Sequence, residues 1–117
     1  MNFTHTSFPF ELKLPKLVRD NIPDMIRNND KIEPKFHIAK DNDEFRSFAL
    51  HKLVEEATEV SLAQDKIHLT EELADLKELT NSIMENFDIN DEDVEKIRIE
   101  KKSKNGGFEK KYILDSK

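Results

Sequence analysis

Two short acidic stretches, "VEEATEV" at residues 54–60 and "EELADLKE" at residues 71–78, decide how this sequence is interpreted. Apolar residues recur at helical spacing around both stretches, so each is expected to be part of an amphipathic helix. Each stretch also contains two carboxylates three positions apart, Glu56 with Glu59 and Glu72 with Asp75. A helix presents such a pair only about 60° apart. The two pairs are therefore either solvated surface acids or parts of one site between two neighbouring helices.

Capping residues and apolar periodicity predict three longer helices. The first is expected over residues 42–64, because Asp41 followed by Glu44 is a typical N-terminal cap. The second is expected over residues 69–87, after a short turn at 65–68 that would make the pair an antiparallel hairpin. The third follows Asn90 and ends at the chain's two glycines, Gly106 and Gly107.

The remaining segments are expected to be short or irregular. Residues 1–13 are interpreted as an irregular N-terminal segment and residues 14–117 as one domain. Pro23 predicts a short helix within "RDNIPDMIRNND" at 19–30. The alternating segments "PKFHIAK" at 34–40 and "FEKKYILD" at 108–115 predict a small two-stranded β ribbon beside the helices. The expected fold class is thus mainly α, a helical bundle with this ribbon.

Composition limits the classes of function. The 117 residues are 36% hydrophobic and contain no long apolar run. This composition predicts one ordinary domain that is neither exported nor inserted in a membrane, and therefore a cytoplasmic protein. The absence of cysteine excludes disulfides and thiolate metal sites. A net charge of -6 argues against a nucleic-acid-binding surface. Basic residues nevertheless gather near the C-terminus: Lys96, Arg98, Lys101, Lys102, Lys104, Lys110 and Lys111.

The direction of the acidic side chains carries more weight than their spacing. With 25 acidic residues in the chain, about five pairs three positions apart arise by chance. On a helical wheel, however, Glu71 and Glu78 project away, while four carboxylates lie within or against the apolar stripes: Glu56, Glu59, Glu72 and Asp75. Converging buried carboxylates require a cation between them, and oxygen-only ligation favours Mg²⁺ or Mn²⁺ over Zn²⁺. The alternative is the edge of an ordinary amphipathic helix.

The same residues resemble a known family. "EEATE" followed by "EELAD" is similar to the EExxE...ExxD signature of the all-alpha, MazG-like nucleoside triphosphate pyrophosphohydrolases, relatives of the dimeric dUTPases and of phosphoribosyl-ATP pyrophosphohydrolase. "KLVRDNIPDMI" at 16–26 resembles the "KLVRDKIPEII" opening of a small bacterial, archaeal and phage branch. "IRIEKKSKNGGFEKKYIL" at 97–114 resembles the ending of that branch, "IRxxKxxxRGGFEKRIxL". The resemblance covers residues 14–115 in order.

This resemblance implies an enzyme that hydrolyses a nucleoside triphosphate to the monophosphate and pyrophosphate, with Mg²⁺ as cofactor and nucleotide-pool house-cleaning as its role. Glu56, Glu59, Glu72 and Asp75 match the family's metal ligands, and Glu55 matches the first acid of the catalytic motif. Lys101 matches a phosphate-binding lysine, with Arg98, Lys16 and Arg19 as assistants. Asn105 stands where the branch has arginine. If that arginine contacts phosphate, Lys104 has to replace the cation; if it only caps the helix, Asn105 is an adequate replacement.

Assembly and alternatives complete the sequence-based expectations. The apolar stripes, including Ile83, Met84 and Phe87, exceed what one hairpin can cover, and with the resemblance they predict a homodimer. A di-iron bundle would need Glu-x-x-His motifs, which are absent, and His68 is interpreted as a surface or structural residue in a turn. The alternative function is a catalytically inactive helical module for metal binding or protein interaction.

Overall fold

A computed structural model describes residues 14–117, so the predicted irregular segment 1–13 lies outside the described residues. The described chain contains four α-helices: α1 (Ile22–Met25), α2 (Asn42–Ser61), α3 (Lys66–Asn86) and α4 (Asp91–Asn105). A π-helical turn, Ile26–Asp30, continues α1. The mainly α class is confirmed. The chain divides into two compact units, Met1–Ile83 and Met84–Lys117, which are described separately below.

The first unit begins with the short helix that Pro23 predicts. Pro23 lies in the first turn of α1. Backbone N–H groups in the first turn have no acceptor within the helix, so the missing N–H of proline costs no hydrogen bond there. The π-helical turn ends at Lys31, which has a left-handed backbone with φ of 57°. Arg27 ties this turn together, because its guanidinium donates to both Asp24 and Glu33. These hydrogen bonds hold residues 24–33 together.

Asp41 and Asp65 determine where the two long helices begin. The Asp41 side chain accepts a hydrogen bond from the Glu44 amide at 2.8 Å, as the capping pattern predicts. Asp65 caps α3 in the same way, accepting from the His68 amide at 2.8 Å. α3 therefore starts at Lys66, three residues before the predicted start. α2 ends at Ser61, before its predicted end at residue 64. His68 lies in the first turn of α3, and its predicted position in a connecting turn is wrong.

The core of the first unit is small and includes a charged residue. Ala49, Ala63 and Leu79 are its buried apolar residues among those described. Glu56 is buried beside them, with only 8% of its surface exposed. A buried carboxylate loses hydration and requires a compensating partner. The position of Glu56 therefore marks the site that is described below.

The second unit contains α4 and the C-terminal segment. Asn90 caps α4 by accepting from the Glu92 amide at 2.8 Å, and Gly106, with φ of 87°, ends it as predicted. Every residue from Asp88 to Lys117 is exposed, including the apolar side chains of Val94, Ile97 and Ile99. No helix within residues 14–117 is long and apolar enough to span a bilayer.

The predicted β ribbon is not found in residues 14–117. Residues 34–40 and 108–115 are turn or irregular structure, with no strand. Their apolar side chains, such as Phe36 and Ile38 in the first segment and Tyr112 in the second, are exposed. Alternating polarity stabilises a strand only when one face is covered, and neither segment has a covered face.

Candidate metal and phosphate site

Three carboxylates converge in the first unit. Glu56 of α2 and Glu72 and Asp75 of α3 each place an oxygen within 4.8 Å of those of the other two. Glu72 and Asp75 share a helix face because they are three positions apart. An uninterrupted helix would separate Glu56 from Glu72 by roughly 24 Å, so the chain must reverse between α2 and α3, as the predicted hairpin requires. We call Glu56, Glu72 and Asp75 the carboxylate cluster.

Burial of Glu56 has an electrostatic cost. Burial raises the pKa of Glu56, the positive charge of Lys52 partly offsets this, and the negative charge of Asp75 raises it again. A bound cation would favour the ionised form of all three carboxylates. A positive charge bound beside Glu56 would therefore stabilise this site.

Lys52 is a cluster neighbour that the sequence analysis missed. Its ammonium lies 2.7 Å from Glu55 and 3.4 Å from Glu56, one helical turn along α2. Burial disfavours the charged form of Lys52, but the hydrogen bond and charge of Glu55, together with Glu56, outweigh this and raise its pKa. The spacings of three and four positions on a helix could have identified both pairs.

The N-terminal "KLVRD" segment supplies two more cations. Arg19 donates to Asp75 at 2.8 Å, and the Lys16 ammonium lies 3.7 Å from Glu55. The structure thus places both sequence-predicted basic residues beside the acidic motifs. Glu55 contacts Lys16 and Lys52, so its carboxylate orients basic side chains. Glu55 is not part of the carboxylate cluster.

An open cleft of about 460 Å³ adjoins the cluster. Its polar lining is mixed: Arg19 and Lys52 are cationic, four residues are acidic, and two are neutral, namely Asp20, Glu56, Asp75 and Glu78 with Asn21 and Ser82. Its apolar side is formed by Leu17, Val18, Ile22, Met25, Phe45 and Leu79. Small-molecule sites commonly combine an apolar wall with a few convergent polar groups in a volume of this order. The cleft therefore has the size and chemistry of a ligand site.

His68 contacts the cluster from its own helix. Its Nε2 lies 3.1 Å from Oε1 of Glu72, four positions along α3. The sequence analysis missed this contact because it assigned His68 to a turn. Once Asp65 is recognised as the cap of α3, the spacing of four positions predicts it.

Other predicted site residues lie outside the cluster. Glu59 is exposed, although the helical wheel placed it against the apolar stripe. Its side chain projects about 60° around α2 from that of Glu56, so the surface that covers Glu56 leaves Glu59 accessible. Glu71 and Glu78 are both exposed, as predicted. Glu78 also lines the open cleft. Lys101, Arg98 and Lys104 are exposed on α4 in the second unit.

The charges around the cluster fit a divalent cation. Four acids, Glu55, Glu56, Glu72 and Asp75, face three permanent cations, Lys16, Arg19 and Lys52. One negative charge is in excess among these seven residues, and Asp20 and Glu78, which also line the cleft, add two more acids. The cluster's donors are carboxylate oxygens, which suit Mg²⁺ or Mn²⁺, and three carboxylates would leave room for phosphate oxygens and water. The residues present therefore fit a hard cation.

No family model, curated protein or solved structure matches this chain.

Proposed function

We propose that this protein is a Mg²⁺-dependent nucleoside triphosphate pyrophosphohydrolase of the MazG-like type, with Mn²⁺ as a second usable ion. The observation that carries the proposal is the convergence of three carboxylates beside a cleft that two cationic side chains, Arg19 and Lys52, also line. Acids that hold a metal and bases that hold phosphate are the two requirements of phosphoanhydride hydrolysis. A cytoplasmic role in nucleotide-pool house-cleaning follows from the resemblance.

The metal would be held by Glu56, Glu72 and Asp75. The resemblance supplies a fourth ligand, Glu59, one helical turn beyond Glu56. A bound divalent cation supplies charge neutralisation and Lewis acidity at the α-phosphoryl group. Glu55 has a separate role in this proposal, because its contacts hold Lys52 and Lys16 in place.

The cationic side chains would bind the triphosphate. Arg19 and Lys52 line the cleft and can transfer from carboxylates to phosphate oxygens when a metal takes their place. Lys101 is assigned to phosphate by the resemblance, with Arg98 and Lys104 as assistants. Arg98 is paired with Glu95 on α4, where their hydrogen bond lowers the pKa of Glu95. Arg98 would have to leave Glu95 to reach phosphate.

Pyrophosphate release from a panel of standard, deoxy and damaged nucleoside triphosphates tests the proposal. With Mg²⁺ or Mn²⁺, the expected products are the nucleoside monophosphate and pyrophosphate in equal amounts, and none without metal. Resolving the products by anion exchange distinguishes this cleavage from release of orthophosphate. Orthophosphate as the product, or no turnover of any triphosphate, would contradict the proposal and favour the interaction module.

We also predict a homodimer. Leu50, Val54 and Leu73 leave apolar surface exposed on α2 and α3, and α4 exposes further apolar side chains in its own unit. Exposed apolar surface of this extent is typical of a protein interface, and a second copy would complete four-helix bundle contacts. Sedimentation equilibrium at micromolar concentration should give about twice the 13.7 kDa chain mass. A mass near that of one chain would contradict this prediction.

A further inference from the structure

His68 is fixed in position by the start of α3. Its amide donates to the Asp65 side chain at 2.8 Å, which holds the first turn of the helix. The Leu69 amide donates to the Asp65 carbonyl at 2.9 Å, adding a backbone bond to the same turn. The His68 ring is therefore attached to an ordered helix end, and from there it reaches Glu72 one turn further along.

The contacts of the ring favour one tautomer. Nε2 of His68 lies 3.1 Å from Oε1 of Glu72, and an ionised carboxylate only accepts hydrogen bonds, so Nε2 is the donor of this pair. The backbone amide of Gln64 lies 3.5 Å from Nδ1, a long contact that is compatible with an unprotonated Nδ1. A neutral ring with its proton on Nε2 fits both contacts.

We propose that His68 is a positioning residue that orients the Glu72 carboxylate for metal binding. This inference rests on the proposed function. The hydrogen bond at Oε1 leaves Oε2 of Glu72 for the metal and restricts a side chain that otherwise loses rotamer freedom on binding. Outer hydrogen-bond partners of this kind typically change metal affinity or activity by tenfold or more.

The location of the pair separates this role from an ordinary surface contact. An exposed pair four positions apart on a helix contributes little to stability. The Glu72 side chain, however, is only 14% exposed and belongs to the carboxylate cluster. The His68 side chain is itself 39% exposed, so its loss should affect folding little, while the covered Glu72 loses the partner that orients it for metal.

Mn²⁺ binding to the full chain, measured by electron paramagnetic resonance, tests the inference with two substitutions. His68→Leu removes the donor and should weaken Mn²⁺ binding about tenfold. His68→Gln retains an N–H near the Nε2 position and should recover most of the affinity. His51→Leu is the matched control, because His51 is an exposed histidine on α2 of the same unit, and it should bind Mn²⁺ like the wild type.

The outcomes separate this inference from the proposed function. Equal Mn²⁺ affinity in His68→Leu and the wild type would overturn the positioning role, as would equal weakening in the Leu and Gln variants. Pyrophosphate release measured on the same samples reports the proposed function independently. If no triphosphate is hydrolysed but the ranking of Mn²⁺ affinities holds, the positioning role stands and the pyrophosphohydrolase proposal fails. Circular dichroism of each variant identifies any loss of affinity that arises from unfolding, in which case His68→Gln decides.

Discussion

Glu72→Gln is expected to lower the rate of pyrophosphate release at least about a hundredfold, whereas Glu71→Gln should change it little. Glu72 belongs to the carboxylate cluster, and its carboxylate is largely covered. The amide of glutamine is a neutral and weaker metal ligand, so one charge and one strong bond to the metal are lost. Initial rates at saturating Mg²⁺, with the triphosphate that the wild type hydrolyses best, measure the effect.

Glu71 is a close control because the side chains of Glu71 and Glu72 differ mainly in the direction in which they project from α3. The two residues are adjacent on α3, and both substitutions remove one negative charge from the same part of the chain. Glu71 is exposed and lies outside the cluster. Glu78 is a poorer control, since it lines the cleft. Equal losses in the two variants would show that net charge, and not the cluster, controls the rate.

The same comparison tests whether Glu59 is a ligand. The resemblance assigns Glu59 to the metal, although its side chain is exposed and outside the cluster. Glu59→Gln is expected to lower pyrophosphate release, because binding of a cation would attract a mobile carboxylate one turn from Glu56. A rate equal to that of Glu71→Gln would reduce the ligand set to three residues.

Helix boundaries were predictable where a residue with a strong capping preference stood at the helix end. Asp41, Asn90 and Gly106 acted as the sequence indicated. Asp65 was missed as a cap because the residues after it, Lys66 to His68, continue no clear apolar stripe, and Ile67 is exposed. Periodicity detects the covered part of a helix and not its first exposed turn.

The ribbon could not be judged from the sequence for a different reason. Residues 34–40 alternate in polarity, yet whether they form a strand depends on a partner and a covering surface elsewhere in the molecule. In the structure these residues remain irregular, with Phe36 and Ile38 exposed. Local pattern therefore predicted the helices, which form their own hydrogen bonds, more reliably than the strands, which do not.

The site was predictable in part. The helical wheel placed Glu56 within or against the apolar stripe of α2, and Glu56 is buried. The wheel describes one helix at a time, so it could not show that covering Glu56 leaves Glu59 accessible. Lys52 and His68 were within reach of sequence reasoning, because each lies four positions before the carboxylate it contacts.

Lys52 provides a test of stability. Its ammonium lies between Glu55 and Glu56, and all three side chains are largely covered. Removing one partner from a covered ion pair leaves the other charge without compensation. Without Lys52, the four acids of the site outnumber the two remaining cations, Lys16 and Arg19, so an added cation can repair the defect by offsetting the lost charge. The size of the repair therefore reports whether a cation binds there.

Lys52→Met should lower the free energy of unfolding at neutral pH by about 2 kcal/mol without metal, and saturating Mg²⁺ should recover much of the loss. Methionine keeps the length and helix propensity of lysine, so the lost charge dominates the effect. Urea unfolding with and without Mg²⁺ measures both values. Lys77→Met, an exposed lysine on α3, is the control and should cost little in either condition. Equal losses in the two variants, or a Lys52→Met deficit that Mg²⁺ leaves unchanged, would contradict a cation site at Glu56.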